Sequence, residues 1–137
     1  MIADLKLGMC PCCSGLKYAS CCKPFHDGAQ ADDALALMRS RFSAYAMGLT
    51  DYIVMTTHPD QKDYKKDREE WKDEIREFSK GTKFLGLKIL DFQDGRDQAF
   101  VRFRAHIEQK GRDASFTENS RFKKAAGRWL YLEGHIG

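Results

Sequence analysis

Cys10, Cys12, Cys13, Cys21 and Cys22 are all the cysteines of a chain of 137 residues, and they lie within the single stretch CPCCSGLKYASCC. Thiols clustered this tightly either cross-link or hold a metal. Disulfides belong to secreted chains with a leader peptide. Met1 to Met9 has neither a basic start nor an apolar core of leader length, the cysteine count is odd, and Cys21 and Cys22 could pair only through a strained ring. A metal site is the better fit. A C-x-C pair and a C-C pair are separated by eight residues, and structural zinc takes four thiolates in a tetrahedron. Cys10, Cys12, Cys21 and Cys22 are therefore the expected ligands. Zinc is the expected ion, and four thiolates also suit iron. Cys13 is left over, as a free thiol or an exchange partner. His26 is an outside candidate for the fourth position.

Such a site needs a frame. Ser14-Gly15 is turn chemistry, serine bonding local backbone and glycine supplying positive φ. Leu16, Tyr18 and Ala19 then form a helical turn that returns Cys21 and Cys22 to the first pair. Lys17 or Lys23 is expected to soften the charge of four sulfurs. Pro24, Asp27 and Gly28 end this unit, giving a division into a metal knuckle over 1–27 and a body over 28–137.

The body reads as helices followed by strands. Asp32-Asp33 opens the first helix, with Leu35, Met38, Phe42 and Tyr45 on one face and Gly48 at its end. Arg39 borders that face, and Arg41 points further round. Thr50 or Asp51 caps a second, short helix through Met55, which stops before His58-Pro59. A third runs from about Arg68 to Lys80, carrying Trp71, Ile75 and Phe78. Beyond Gly81 the period becomes two. Leu85, Leu87 and Ile89 alternate with Phe84, Lys88 and Leu90; Ala99, Val101, Phe103, Ala105 and Ile107 share one face of the next strand. Phe116, Glu118, Ser120 and Phe122 share a face of the third, and Trp129 to Glu133 is the last. Short links at Asp94-Gly95, Lys110 to Asp113 and Ala126-Gly127 imply antiparallel pairing. The class is α+β: three helices over a four-stranded antiparallel sheet.

The cysteine stretch resembles the SEC-C motif, C-x-C-x-S-G-x-x-x-x-x-C-[CH], found at the end of the bacterial secretion ATPase SecA and in small accessory proteins. Members usually carry glycine at the position of Cys13. LALMRSRFSAYAMGLTDYIVMTTHPD and ENSRFKKAAGRWLYLEG extend the resemblance to the YchJ-like family, nearly end to end. What that implies is an N-terminal SEC-C motif joined to a nuclear-transport-factor-2-like domain, a bent sheet with helices filling its cone. The family has no established reaction.

Glu118 is the most informative polar residue of the body. Alternation turns it inward, where a carboxylate is costly unless paired, and Arg39 is its expected partner. Glu118, Arg39, Tyr45, His58 and Trp129 then either line a pocket at the open end of the cone or include a structural ion pair. Arg102, Arg104, His106, Arg121 and Lys123 fall on the outer sheet face, read as a solvated strip.

Composition narrows the function. Hydrophobic residues make up 42% and charged residues 31% of the chain, as in an ordinary soluble domain, and the net charge of +3 attracts acidic partners only weakly. Nucleic acid is not expected as a partner, no apolar run crosses a bilayer, and reduced cysteines point to the cytoplasm. There is no glycine-rich phosphate loop, nucleophile elbow or H-E-x-x-H. The main expectation is a metal-binding, non-catalytic accessory protein that docks on export or nascent-chain machinery. The alternatives are a small-molecule or enzymatic pocket in the cone, and thiol redox or metal handling through Cys13.

Overall fold

The computed structural model describes residues 8–137, with Lys65 as backbone only; the first seven residues of the expected knuckle, and most of the stretch weighed as a leader, lie outside them. Five strands form one antiparallel sheet: β1 (Thr82–Gln93), β2 (Gln98–Gln109), β3 (Arg112–Asp113), β4 (Phe116–Ala125) and β5 (Arg128–Ile136). The order is β1-β2-β4-β5, and the two-residue β3 adds to β2. Among the described residues, four α-helices precede the sheet: the one-turn α1 (Lys23–His26), then α2 (Ala34–Met47), α3 (Thr50–Met55) and α4 (Arg68–Lys80). The three longer ones are those the sequence implies, and α1 belongs to the knuckle.

Asp33 caps α2 by accepting the Ala36 N–H, and Gly48 ends it at φ 71°, a left-handed backbone that glycine adopts without strain. Neither Thr50 nor Asp51 caps α3; Leu49 holds that place with no side-chain bond. Asp67 caps α4 through the Glu70 N–H. The helix α2 is buried almost all round, including Leu37, Ser40, Arg41, Ser43 and Ala44. Its small residues mark the reason, because Ser and Ala let neighbouring backbones approach on the side where a surface helix would carry charges.

Two bulges bend β1. The register against β2 slips between Phe84 and Gly86 and again between Ile89 and Asp91, leaving Leu85 and Leu90 as the extra residues. Phe84 and Leu87 are buried together while Leu85 and Leu90 are exposed. The simple alternation that put Leu85 with Leu87 is therefore corrected: each bulge resets the phase and increases local twist. A third slip lies between Arg121 and Phe122, where β4 meets β5. The sheet curves around α2, and Ala99, Val101, Phe103, Ala105 and Ile107 of β2 are all buried against it.

The β5 edge is covered. Thr57 bridges Tyr131 in parallel, the His58 N–H donates to the Tyr131 carbonyl at 2.8 Å, and the Tyr131 N–H donates to the Thr56 carbonyl at 2.9 Å. This satisfies backbone groups that an open edge would leave unpaired.

Candidate functional site: a cysteine knuckle and a cone cavity

The knuckle starts as a small hairpin. Met9 bridges Lys17, the Cys10 N–H donates to the Leu16 carbonyl, and the Tyr18 N–H donates to the Gly8 carbonyl. Ser14 Oγ accepts the Leu16 N–H, and a 3-10 turn over Tyr18–Ser20 returns the chain. The sulfurs of Cys10, Cys12, Cys21 and Cys22 then lie within 4.8 Å of one another. Cys12 and Cys21 are 3.5 Å apart, and Cys21 and Cys22 are 3.9 Å apart. Four thiolates around one ion at Zn–S lengths of about 2.3 Å have edges of about 3.8 Å, so the set fits a tetrahedral metal.

The protons say the same. Hydrogen bonds from Cys10 and Cys22 hold the Cys12 thiol far below its usual range. Cys10 is pushed up to about 11, first by its bond to Cys12. Cys22 is pushed up further, by its bonds to Cys10 and Cys12 and by burial. A thiolate at Cys12 thus disfavours ionisation of Cys10 and Cys22, a conflict that a bound cation would resolve by displacing the protons. Cys13 stands apart: it is exposed, its sulfur faces the Pro11 carbonyl at 3.6 Å, and its φ is 63°. This left-handed backbone is one that glycine would adopt without strain.

His26 is not directed at the sulfurs. The Tyr18 hydroxyl donates to its Nδ1 at 2.7 Å, and its Nε2–H donates to the Ser40 carbonyl of α2 at 2.8 Å. Burial lowers its pKa, so the neutral ring serves as a tether between knuckle and body. The charge next to the sulfurs also differs from expectation. Lys23 pairs with Asp27 at 2.6 Å, whereas Arg39 donates to the Cys12 carbonyl at 3.0 Å and lies 4.0 Å from its sulfur. Cys10, Cys12 and Cys22 share one packed core with Leu37, Met38 and the sheet.

Arg39 therefore does not meet Glu118. The arginine on the cavity side is Arg41, two residues on and about 200° further round the helix. It is 7% exposed. Its guanidinium donates to the Ile53 carbonyl at 3.1 Å, Thr56 Oγ1 at 2.7 Å and Thr57 Oγ1 at 3.3 Å, and lies 4.6 Å over the Tyr131 ring. It thereby satisfies carbonyl and hydroxyl groups at the C-terminal end of α3, where a cation is favoured.

A cavity of about 360 Å³ opens between the helices and the concave sheet face. Tyr45 and Glu118 line it, with Arg41, Ser120 and Tyr131 and a wall of aromatic rings. Burial pushes the Tyr45 and Tyr131 hydroxyls up, and Glu118 adds to both shifts. His58 and Trp129 lie elsewhere. His58 is buried under the β5 edge, and its Nδ1 accepts the Asp60 N–H at 3.0 Å. Trp129 is in the core, with Lys124 Nζ 5.1 Å over its ring; it borders a small cleft with Phe25 and Tyr52. Of the two aromatic residues of the last strand that could stack a ligand, Tyr131 lines the cavity and Trp129 does not, and Arg41 is the lining residue that sequence reasoning missed. The burial of Ser40 and Ser43 beside Arg41 explains why a one-sided helix reading pointed away from it. On the outer face, Arg121 is tied to Glu133 at 3.2 Å and Arg104 donates to Thr117 Oγ1, so that strip is partly neutralised.

A bent antiparallel sheet filled by helices, with a four-sulfur knuckle ahead of it, defines a nuclear-transport-factor-2-like α+β protein with an N-terminal cysteine site. The family model described as YchJ, middle NTF2-like domain, matches residues 33–134, and the chain belongs to that family. The UPF0225 protein of Serratia proteamaculans is 37% identical over 131 residues, covering 92% of this chain and 82% of its own. The solution structure of a SEC-C motif containing protein from Rhodopseudomonas palustris matches at TM-score 0.82 and 37% identity, over 93% of this chain and 98% of that one. A crystal structure of a SEC-C motif containing protein from Psychrobacter arcticus matches at TM-score 0.77 and 29% identity, over 93% and 82%.

Proposed function

We propose that this chain is a zinc-holding accessory protein of the cytoplasm whose knuckle docks on a protein partner, with export or nascent-chain machinery as the partner class. The observation that carries the reading is the closed set of four sulfurs. Cys10, Cys12, Cys21 and Cys22 would hold the ion; with all four positions taken by protein, zinc supplies rigidity rather than a bound water for catalysis. The resemblance of relatives through the SEC-C motif supports the partner class. The knuckle exposes Leu16, at 53%, with Lys17 next to it in sequence and also exposed, an apolar residue and a cation suited to an acidic protein surface. Among the described residues no helix is long and apolar enough to cross a membrane.

The test is elemental analysis of the native protein, followed by quantitative co-purification from its own host using the parent, Cys21→Ser and Leu16→Asp. The expected result is one zinc per chain, with partners lost from both variants although Leu16→Asp keeps its metal. Identical partner sets for all three proteins would defeat the docking role, and a metal-free reduced protein would defeat the zinc assignment.

A further inference from the structure

The knuckle leaves the cone cavity without a task, and the cavity is built for more than packing. Its volume of about 360 Å³ falls in the roughly 300–1,000 Å³ range of small-molecule sites. Phe42, Phe103 and Phe116 are among the rings of its wall. Of its ionisable lining groups, Asp63, Glu74 and Glu118 are acidic and Arg41 is basic.

Arg41 and Glu118 are not equivalent. Arg41 already spends donors on Ile53, Thr56 and Thr57. Asp63 and Glu74 are both bridged by Lys66, at 3.4 Å and 2.8 Å. Glu118 accepts only the Ser120 hydroxyl, and among the described residues no Lys, Arg or His pairs with it. Its place is also prepared. Gly134 faces Ser120 across β4 and β5, and a Cβ there would run into the Glu118 carboxylate and the Tyr131 hydroxyl. A glycine inside a strand at such a point marks close approach of another group; here that group is the carboxylate itself.

We propose that the cone cavity binds a small organic cation, an amine or quaternary ammonium on an aromatic or alicyclic body. The ammonium sits at Glu118 beside the Tyr131 and Tyr45 hydroxyls, and the body fills the aromatic cup. The carboxylate supplies the charge complement, and ring faces add cation–π attraction to the same end of the ligand. A carboxylate ligand is disfavoured, because the available cation is already engaged and Glu118 would repel it.

The experiment uses three probes of one shape and different charge: phenethylamine, 2-phenylethanol and phenylacetate. Each is titrated into full-length, metal-loaded protein and followed by amide chemical shifts. The expected order places phenethylamine tightest, by about tenfold over the alcohol, with phenylacetate weakest and the shifts centred on Ser120, Tyr131 and Gly134. Glu118→Gln is expected to bring the amine-to-alcohol ratio close to one while the alcohol still binds. Gly134→Ala, which displaces the carboxylate without removing it, is expected to weaken the amine preference, so the reading does not depend on one variant. Equal binding of all three probes, tighter binding of phenylacetate, or no binding of any to the parent protein overturns the proposal. So does an amine preference that survives Glu118→Gln in a protein whose spectrum stays dispersed.

Discussion

The knuckle and the cone cavity lie against different sides of α2, and they are assembled in different ways. All four sulfurs come from a thirteen-residue stretch, so local turns nearly suffice to build that site. The cavity draws its lining from α2, α4, β1, β2, β4, β5 and the segment before α4. No local pattern contains it, and each lining residue arrives by a separate packing decision. The knuckle also gathers its four sulfurs within 4.8 Å of one another, whereas the cavity opens to solvent and keeps a carboxylate that no cation pairs with among the described residues. One region brings four sulfurs close enough to hold an ion, while the other leaves room.

That contrast breaks most sharply at the sulfurs. Cys12→Ser, or a strong chelator on the reduced protein, is expected to abolish metal binding and cause the largest loss of stability. Structural zinc contributes about 10–16 kcal/mol of apparent binding free energy in small peptides. Because Cys10, Cys12 and Cys22 belong to the main core, the melting of the whole body should fall. Metal content and melting temperature are the readouts; an unshifted melt after metal loss would separate the knuckle from the body.

Arg41→Met probes the other side of α2. It leaves the Ile53 carbonyl and two threonine hydroxyls without their charged donor, at a cost of about 2–4 kcal/mol. Denaturant unfolding should show that loss while metal content stays at the parent level. If the metal is lost too, the two regions are one cooperative unit. Arg41→Lys is not expected to rescue it, since one ammonium lacks the flat fork that reaches all three acceptors.

His26→Gln tests the tether between them, with a cost of about 1–2 kcal/mol for the lost bonds to Tyr18 and Ser40. It also carries a pH signature. Burial lowers the His26 pKa from 6.5, against weaker upward pulls from the Ser40 carbonyl, Asp27 and Cys12. The folded protein therefore prefers the neutral ring, and the unfolded chain binds a proton first. This contribution is fully present above pH 6.5 and declines as pH falls from there toward the lowered folded value. The difference in melting temperature between parent and variant should shrink over that window, and a constant difference would remove His26 from the pH response.

The smallest expected effect belongs to Cys13→Gly. Relieving a left-handed backbone at φ 63° is expected to stabilise the knuckle by about 0.5–1 kcal/mol net of glycine's own entropy cost. Metal stoichiometry should not change. A drop in bound metal would make Cys13 a ligand after all.

How much of this was readable in advance follows the same division. The grouping of four sulfurs was legible because those residues are neighbours in sequence. The helices α2 and α4 and the strand β2 were legible because caps and periodicity are local signals. Leu85 was assigned to the wrong side because two bulges reset the phase of β1, and a bulge leaves no reliable mark in a run of apolar residues. A helix with one buried face would bring Arg39 to Glu118. The burial of α2 on nearly all sides gives Arg39 to the knuckle and Arg41 to the cavity, an exchange that depends on what packs around the helix. His58 and Trp129 have side chains suited to a pocket, but the edge of β5 and the core near α1 claim them.

Sequence alone determined the sulfur cluster, the α+β class and the inward face of β4, because spacing and alternation act over a few residues and need no partner. Only the tertiary structure decided that Arg41 rather than Arg39 reaches the cavity, that His26 ties the knuckle to α2, and that Glu118 lies over Gly134 with no cation pairing with it among the described residues. Those outcomes depend on which distant surfaces meet, and burial, charge pairing and steric room are set at the contact.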